Sequence, residues 1–440
     1  MKGYVVLISV VAALGGLLFG FDTAVISGTI NFIQPYFGLS EVGLGWTVSS
    51  LLFGCIAGVF LAGKAGDQYG RKKVLMLAAF LFFLSAVGSA SAHSLVFFVI
   101  SRTLGGIAVG VASILSPMYI AELAPAKYRG TLVSLNQLAI VVGILVAFFS
   151  NYLLVDTGAN NWRWMLLVMA APAVLLFFSL FLVPESPRWL VARSRNDEAL
   201  QVLIKTSGKE FAQTELKDIK ETLKNHEEST FRDLLAPKVK PLLFIGIILA
   251  IFQQITGINT IMYYAPKIFA NIGQSNNSAL MQTILIGGTN LVFTLVAMVL
   301  IDRFGRKLLI VVGSTGMMVM LAGLSFLYFT NQTSGILVLL FILGYIAFFA
   351  ASLGPALWVV AAELFHNRLR SKGMSIAIVS LWMACTVVTI VFPIMLQKLS
   401  GGITFLIFAL ICLANLVYVL KFVPETKGKT LEELEKEFAK

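Results

Sequence analysis

Twelve stretches of this chain are apolar over about the 20 residues that a helix needs to cross the hydrocarbon core of a bilayer. By hydropathy they fall at roughly 4–28, 44–63, 74–92, 95–121, 131–155, 164–183, 241–265, 280–301, 308–329, 335–362, 374–397 and 401–423. Of the 440 residues, 58% are hydrophobic and 12% charged. Soluble domains are about 45–50% apolar and about 25% charged. A soluble fold has no interior large enough for this apolar surface, and the same figures exclude disorder. The pattern predicts an all-α integral membrane protein. Only Lys2 is basic ahead of the first run, with no cleavage pattern after it, so Met1 is expected to be the mature start.

The net charge of +11 would raise nucleic acid as a partner in a soluble chain. In a membrane chain it is a topology signal. With the N-terminus inside, the exterior loops keep only Arg163, Lys267 and Lys398, and Arg102 lies within a span; the other basic residues fall on the cytoplasmic side. Both termini are therefore expected to be cytoplasmic, and no nucleic-acid partner is needed. Cys55, Cys385 and Cys412 all sit in apolar runs with no CxxC spacing and read as reduced and buried. With three scattered histidines, the sequence calls for no metal and no cofactor.

The chain repeats itself. Asp67-Gln-Tyr-Gly-Arg71-Lys follows the second span and Asp302-Arg-Phe-Gly-Arg306-Lys the eighth, 235 residues later. Glu122 with Arg129 follows the fourth span; Glu363 with Arg370 follows the tenth, 241 residues on. Pro184-Glu185 follows the sixth and Pro424-Glu425 the twelfth, 240 residues on. The repeat predicts two pseudo-symmetric six-helix bundles, 1–183 and 241–423. A cytoplasmic linker, 184–240, joins them and a cytoplasmic tail, 424–440, follows. In the linker, Leu200, Leu203, Ile204 and Leu216, Ile219, Leu223 recur at helical spacing, which predicts short amphipathic helices. Parallel six-span halves are the architecture of alternating-access transporters, whose substrate site lies near the midplane. The acidic and basic loop residues, extended by Glu185, Arg188 and Glu425, are suited to pair across the cytoplasmic ends as latches.

Asp22 and Arg102 are ionisable residues well inside apolar runs, where each costs roughly 2.5–3.5 kcal/mol on the insertion scale. Such residues pair or face a water-filled cavity, and intramembrane carboxylates often relay protons. An aspartate beside an arginine is ionised; moving them apart favours the protonated form, which is a physical basis for coupling. The alternative is a fixed ion pair joining spans one and four.

Primary amides match the donor-and-acceptor character of sugar hydroxyls without a charge to desolvate. The spans hold Gln137, then Gln253, Gln254 and Asn259 around Gly257, and Asn290. Trp358 and Trp382 offer flat apolar faces for the C–H side of a pyranose. Gly257 loosens its helix so that the amides can converge. Tyr263 and Tyr264 lie one turn further out, where they can gate the exterior entrance, and Gly354-Pro355 is a hinge-capable pair. Amides also hydrogen-bond between spans, which is the competing role for this set.

Seven motifs in order then resemble the sugar porter family of the major facilitator superfamily along essentially the whole chain. They are Gly20-Phe-Asp-Thr-Ala-Val-Ile-Ser-Gly28; Gly63-Lys-Ala-Gly-Asp-Gln-Tyr-Gly-Arg71; Pro117-Met-Tyr-Ile-Ala-Glu122 through Arg129; Pro184-Glu-Ser-Pro-Arg188; Gln253-Gln-Ile-Thr-Gly-Ile-Asn259; Gly354-Pro-Ala-Leu-Trp358; and Pro424-Glu-Thr-Lys-Gly428. Within that family, the chain resembles the bacterial D-xylose/proton symporter type. The resemblance implies the twelve-helix major facilitator fold. It also implies Asp22 as the proton-coupling carboxylate with Arg102 as its partner, since facilitators of the family commonly carry Asn at the Asp22 position. The amides, tryptophans and tyrosines above fall on the family's sugar-contacting or gating positions. Leu381 and Cys385 flank Trp382 where relatives often carry Gln or Asn, and Ile144 replaces a glutamine of xylose-transporting members, so xylose itself is not inherited as substrate.

The expectation is a monomeric, non-enzymatic transporter in the cytoplasmic membrane. Its partners are a monosaccharide of the D-xylose/D-glucose class, a proton and the lipid bilayer. A proton-independent facilitator and a non-transporting sugar sensor are the alternatives; a sensor usually carries a longer tail. Gly428-Lys-Thr is no phosphate loop, because Val423 stands where the first glycine is needed and no strand precedes it.

Overall fold

A computed structural model describes residues 3–125, 128–224, 231–237, 239–364 and 367–427; at 231, 232, 302, 362, 367, 368, 370 and 371 it describes the backbone alone. The helices are α1 Gly3–Tyr36, α2 Glu41–Tyr69, α3 Arg71–Ser91, α4 Leu95–Leu123, α5 Arg129–Leu154, α6 Asn161–Leu167 and α7 Ala170–Ser179. The short α8 Pro187–Ala192, α9 Asn196–Thr206 and α10 Lys209–Lys224 follow. The chain continues with α11 Lys240–Ile255, α12 Ile258–Asn271, α13 Asn276–Phe304, α14 Arg306–Phe329, α15 Gly335–Ala350, α16 Leu353–Glu363 and α17 Asn367–Phe422.

Helices prevail because a backbone in hydrocarbon must satisfy its N–H and C=O groups within its own segment. Eleven helical stretches among the described residues are long and apolar enough to span a membrane. The last holds two spans. Ser400 has φ 69° and ψ 163°, outside any helix, so α17 is a run 367–399 meeting a run 401–422 end to end. This gives the twelve spans expected from hydropathy. Large apolar side chains such as Phe60, Val96, Phe178, Val299 and Ile336 are exposed, as a multi-pass membrane protein requires.

Three spans are interrupted. The sixth consists of α6, α7 and a 3-10 turn at Leu180–Leu182. The seventh breaks between α11 and α12 at Gly257, whose φ of 97° is left-handed. A side chain there is strained, so glycine makes the break possible. The tenth breaks between α15 and α16, where Ser352 has φ −137° and ψ −92°.

The chain divides into two compact units. The first comprises Met1–Val25, Phe53–Ser150 and Gly158–Glu228. In it α3 packs on α4, α6 and α7. Helices α2 and α4 cross at Gly54 and Gly58 against Gly106 and Gly110, where an added Cβ would run into the opposite backbone. Two small-xxx-small pairs thus bring the backbones into contact, the usual device for packing spans in lipid. After the sixth span, Ser186 caps α8 by accepting from Trp189 N, and Pro187 opens the helix. Trp189, Leu190, Ala199, Val202, Leu203, Ala212 and Leu216 then form a small buried core among α8, α9 and α10.

The second unit comprises Ile26–Leu52, Asn151–Thr157 and Ser229–Lys440. Within it α17 packs along α11 and α14, and α15 contacts α13 and α14. The C-terminal part of α1 and the first part of α2 belong to this unit. There Asn31 Nδ2 donates to Asn276 Oδ1 at 3.0 Å and Asn277 Nδ2 donates to Asp156 Oδ2 at 3.0 Å.

Candidate functional site

In the first unit Asp22 and Arg102 are both fully buried, from α1 and α4. Arg102 Nη1 donates to Asp22 Oδ1, and Nη2 donates to the Asp22 backbone carbonyl at 3.0 Å. Among the described residues, Asp22 Oδ2 has no hydrogen-bond partner. The glycines Gly16 and Gly20 let α1 lie directly against Asn136 and Ile140 of α5, and this contact seats Asp22 among helices. Gln137 is half-buried on α5 of the same unit.

In the second unit the amides form a chain across the broken seventh span. Gln253 Nε2 donates to the carbonyls of Leu353 and Gly354, each at 3.1 Å. Gln254 Nε2 donates to Gln253 Oε1 at 3.2 Å, and Asn259 Nδ2 donates to Gln254 Oε1 at 2.6 Å. The second Asn259 donor contact goes to Cys385 Sγ at 3.2 Å. Gly257 lies between donor and acceptor helices. Its left-handed turn replaces a run of helix that would splay Gln254 and Asn259 apart. Tyr345 Oη anchors the break by donating to Thr256 O at 3.1 Å.

The chain of amides therefore links two breaks, at 257 and at 351–352, so Gly354 and Pro355 lie where Gln253 grips the first turn of α16. Gln253 and Gln254 are buried; Asn259 and Trp358 are half-buried; Trp382 is buried on α17. Asn290 is buried on α13, and among the described residues no hydrogen bond joins it to the amide chain. Tyr263 and Tyr264 are buried on α12, and Tyr264 Oη donates to Thr389 O at 3.2 Å.

The repeated loop motifs build the same network twice, once in each unit. Gly70 and Gly305 have φ 98° and 87°, which ends one helix and starts the next. The opening N–H groups of α3 need acceptors. Glu185 supplies them, accepting from Arg71 N at 3.1 Å and Lys72 N at 3.2 Å. Glu425 does so for α14, accepting from Arg306 N and Lys307 N, each at 3.0 Å. A carboxylate at a helix N-terminus is also favoured by the helix dipole.

Arg71 Nε and Nη2 reach Glu122 at 3.0 and 3.1 Å, and Nη2 also meets Asp67 at 3.0 Å. Arg306 Nη2 meets Glu363 at 3.0 Å. Ser186 Oγ donates to Glu122, and Thr426 Oγ1 donates to Glu363 at 2.5 Å. Tyr119 Oη donates to the Pro184 carbonyl in the first unit. These pairs close within each unit. Arg129 and Arg188 are exposed and form no ion pair among the described residues. The side chains of Asp302 and Arg370, and Gly428-Lys-Thr, lie outside the described residues.

Burial pushes the Glu185 carboxyl above its usual range; N–H bonds from Ser186, Lys72 and Arg71 and the Arg71 charge oppose that only in part. At Glu425 burial also acts upward, but N–H bonds from Lys427, Arg306, Lys307 and Thr426 outweigh it and hold the carboxyl below the usual range. Matching positions in the repeat thus differ in sign.

Ser186, Thr426 and Tyr119 lie within the sequence motifs and Cys385 beside Trp382, but the partners through which they join the networks are set by tertiary contact. Lys267 Nζ donates to Glu41 Oε2 at 2.6 Å and to Gln34 Oε1 at 3.1 Å, while Gln34 Nε2 donates to Glu41 Oε1 at 3.0 Å. The repeat also points to Thr426, as the counterpart of Ser186.

Residues 8–438 match the family model described as "Sugar (and other) transporter". The chain is 40% identical to the arabinose-proton symporter of Bacillus subtilis (strain 168), covering 99% of this chain and 95% of that one. It is 42% identical to the D-xylose-proton symporter of Escherichia coli (strain K12), covering 99% and 96%. Its fold matches the partially occluded inward open conformation of the xylose transporter XylE from E. coli with a TM-score of 0.88 at 40% identity, over 98% of this chain and 100% of that one. With twelve spans, a twofold repeat of its carboxylate–arginine network and these likenesses, the chain belongs to the sugar (and other) transporter family and has the major facilitator fold.

Proposed function

We propose that this protein is a proton-coupled symporter that imports a monosaccharide, a pentose or hexose of the D-xylose/D-glucose class, by alternating access. The observation that carries the reading is Asp22: a fully buried carboxylate with one oxygen on Arg102 and the other without a partner. Such a group holds its charge only while the guanidinium compensates it, and it accepts a proton when that compensation weakens. Relatives named as arabinose- and D-xylose-proton symporters support coupling of this kind.

The amide chain Gln253–Gln254–Asn259 is the sugar platform. Sugar hydroxyls exchange with the amide–amide bonds, so no donor or acceptor is left bare in either state. Asn290 of the same unit adds a polar contact, and Trp358 and Trp382 take the apolar face of the ring; Gln137 is a further sugar-contacting candidate, on α5 of the first unit. Tyr263 and Tyr264 gate on the outer half-helix of the seventh span, and Gly354-Pro355 bends the tenth. One proton moving inward across 100 mV supplies about 2.3 kcal/mol. The excess of basic residues in one set of loops supports an inner-membrane protein with both termini in the cytoplasm; on this reading the protein works as a monomer without a chemical step on the sugar.

Reconstituted Asp22→Asn tests the reading. It is expected to abolish uphill sugar uptake under an imposed pH gradient and to retain sugar exchange. Uphill uptake persisting in that variant, or wild-type flux indifferent to pH, would make the protein a facilitator instead.

A further inference from the structure

The two carboxylate oxygens of Asp22 have different surroundings. Oδ1 accepts from the Arg102 guanidinium; Oδ2 is buried and unpartnered. A proton that arrives at Asp22 therefore bonds to Oδ2, and a buried O–H needs an acceptor.

Gly105 of α4 reveals what surrounds that oxygen. A Cβ placed on Gly105 would lie 2.7 Å from Asp22 Oδ2 and also collide with Ser85 Oγ. The two oxygens thus flank one notch between α1, α3 and α4, and the notch exists because residue 105 has no side chain. Ser85 is fully buried on α3, and among the described residues its hydroxyl is also without a partner, so the two oxygens are not bonded to each other while Asp22 is paired with Arg102. A serine oxygen offers two lone pairs. The charge that faces Asp22 is Arg102 from α4. Other ionisable groups of α1 and the neighbouring helices lie toward helix ends: Tyr4 and Tyr36 on α1, Arg71, Lys72 and Lys73 on α3, Tyr119 and Glu122 on α4, Arg129 and Tyr152 on α5.

We infer that Ser85 completes the proton site: its hydroxyl accepts the O–H of protonated Asp22 across the notch that Gly105 keeps open. The coupling proton forms a bond to Oδ2 on uptake and leaves by breaking that bond, while Ser85 keeps its own hydrogen throughout. Ser85 and Gly105 are positioning residues, and the inference rests on Asp22 being the coupling carboxylate.

Gradient-driven uptake in proteoliposomes, measured against external pH beside sugar counterflow, tests this with the best-transported sugar among D-xylose, arabinose and D-glucose. Ser85→Ala removes an acceptor from the protonated form. It should keep counterflow and shift the pH of half-maximal driven uptake to acid by about 0.5–1 unit. Ser85→Thr, which retains the hydroxyl, should keep the wild-type profile. Gly105→Ala, which fills the notch, should lose driven uptake at least about tenfold. If Ser85→Ala fails to reach the membrane, Ser85→Cys, a weaker acceptor of similar size, should shift the same way. A Ser85→Ala or Ser85→Cys profile superimposed on wild type overturns the inference, as does Ser85→Thr shifting as far as alanine. Failure of the underlying reading is distinct: it appears as uphill uptake in Asp22→Asn.

Discussion

Lys267 Nζ lies 2.6 Å from Glu41 Oε2, an ion pair between residues 226 apart in sequence. Their side chains are only 13% and 17% exposed, and Gln34 bonds to both. The pair therefore ties the outer ends of α1 and α2 to the outer half of the seventh span, with less solvent screening than a surface pair has. Lys267→Gln should loosen that tie. Spin labels at Val42 and Asn271 should report a longer or broader distance distribution than in wild type, corresponding to about 1 kcal/mol, or roughly fivefold, in the opening equilibrium. Unchanged distances would leave the pair without a conformational role.

The amide chain predicts a graded loss of sugar affinity. Asn259→Ala removes the donor to Gln254 and to Cys385, and takes one polar group from the platform. Titration calorimetry should show binding weakened about 10–100-fold, or about 1.4–2.8 kcal/mol. Asn290→Ala, whose residue stands outside that hydrogen-bonded chain, should cost less. The reverse order would move the sugar away from the seventh span.

The two repeated networks predict unequal stability losses. Arg71 and Glu122 are 8% and 10% exposed, whereas Arg306 and Glu363 are 12% and 32% exposed. Each arginine also holds a backbone carbonyl, Gly66 at 3.0 Å from Arg71 Nη1 and Ile301 at 3.1 Å from Arg306 Nη1, so the difference comes from the deeper burial of the carboxylate that Arg71 leaves behind. Arg71→Leu should cost about 3 kcal/mol and Arg306→Leu about 1. Thermal unfolding in detergent should show the larger drop in Tm for Arg71→Leu.

Glu185 and Glu425 should respond oppositely to pH. The raised Glu185 carboxyl contributes stability that is present below the unfolded-state value and lost as pH rises through the folded one. The depressed Glu425 carboxyl contributes stability present above the unfolded-state value and lost as pH falls through the folded one. At neutral pH, Glu425→Gln should therefore lower Tm more than Glu185→Gln, and the gap should narrow toward pH 4. A gap that widens on acidification would contradict the assignment.

Hydropathy and the internal repeat were enough for the twelve spans. Both are local: apolar runs must become helices in lipid, and duplicated motifs stay readable wherever they end up. Asp22 and Arg102 stood out because a charge in an apolar run is conspicuous without knowledge of its neighbours. Gly257 did so because glycine between clustered amides marks a break.

Packing alone decided the remainder. Serine in a span gives no signal, since its hydroxyl can bond to its own helix, so Ser85 gained meaning only where α3 and α4 leave a notch at Gly105. The arginine partners also depended on tertiary structure. Arg71 and Arg306 turn inward to Glu122 and Glu363 of their own units, although the motifs alone were equally compatible with pairing across the cytoplasmic ends. Cys385 meets Asn259, and Lys267 meets Glu41, across more than a hundred residues. Helical periodicity gives a residue its face, but the rotation and depth of each helix come from the neighbours it packs against, and these set which faces meet.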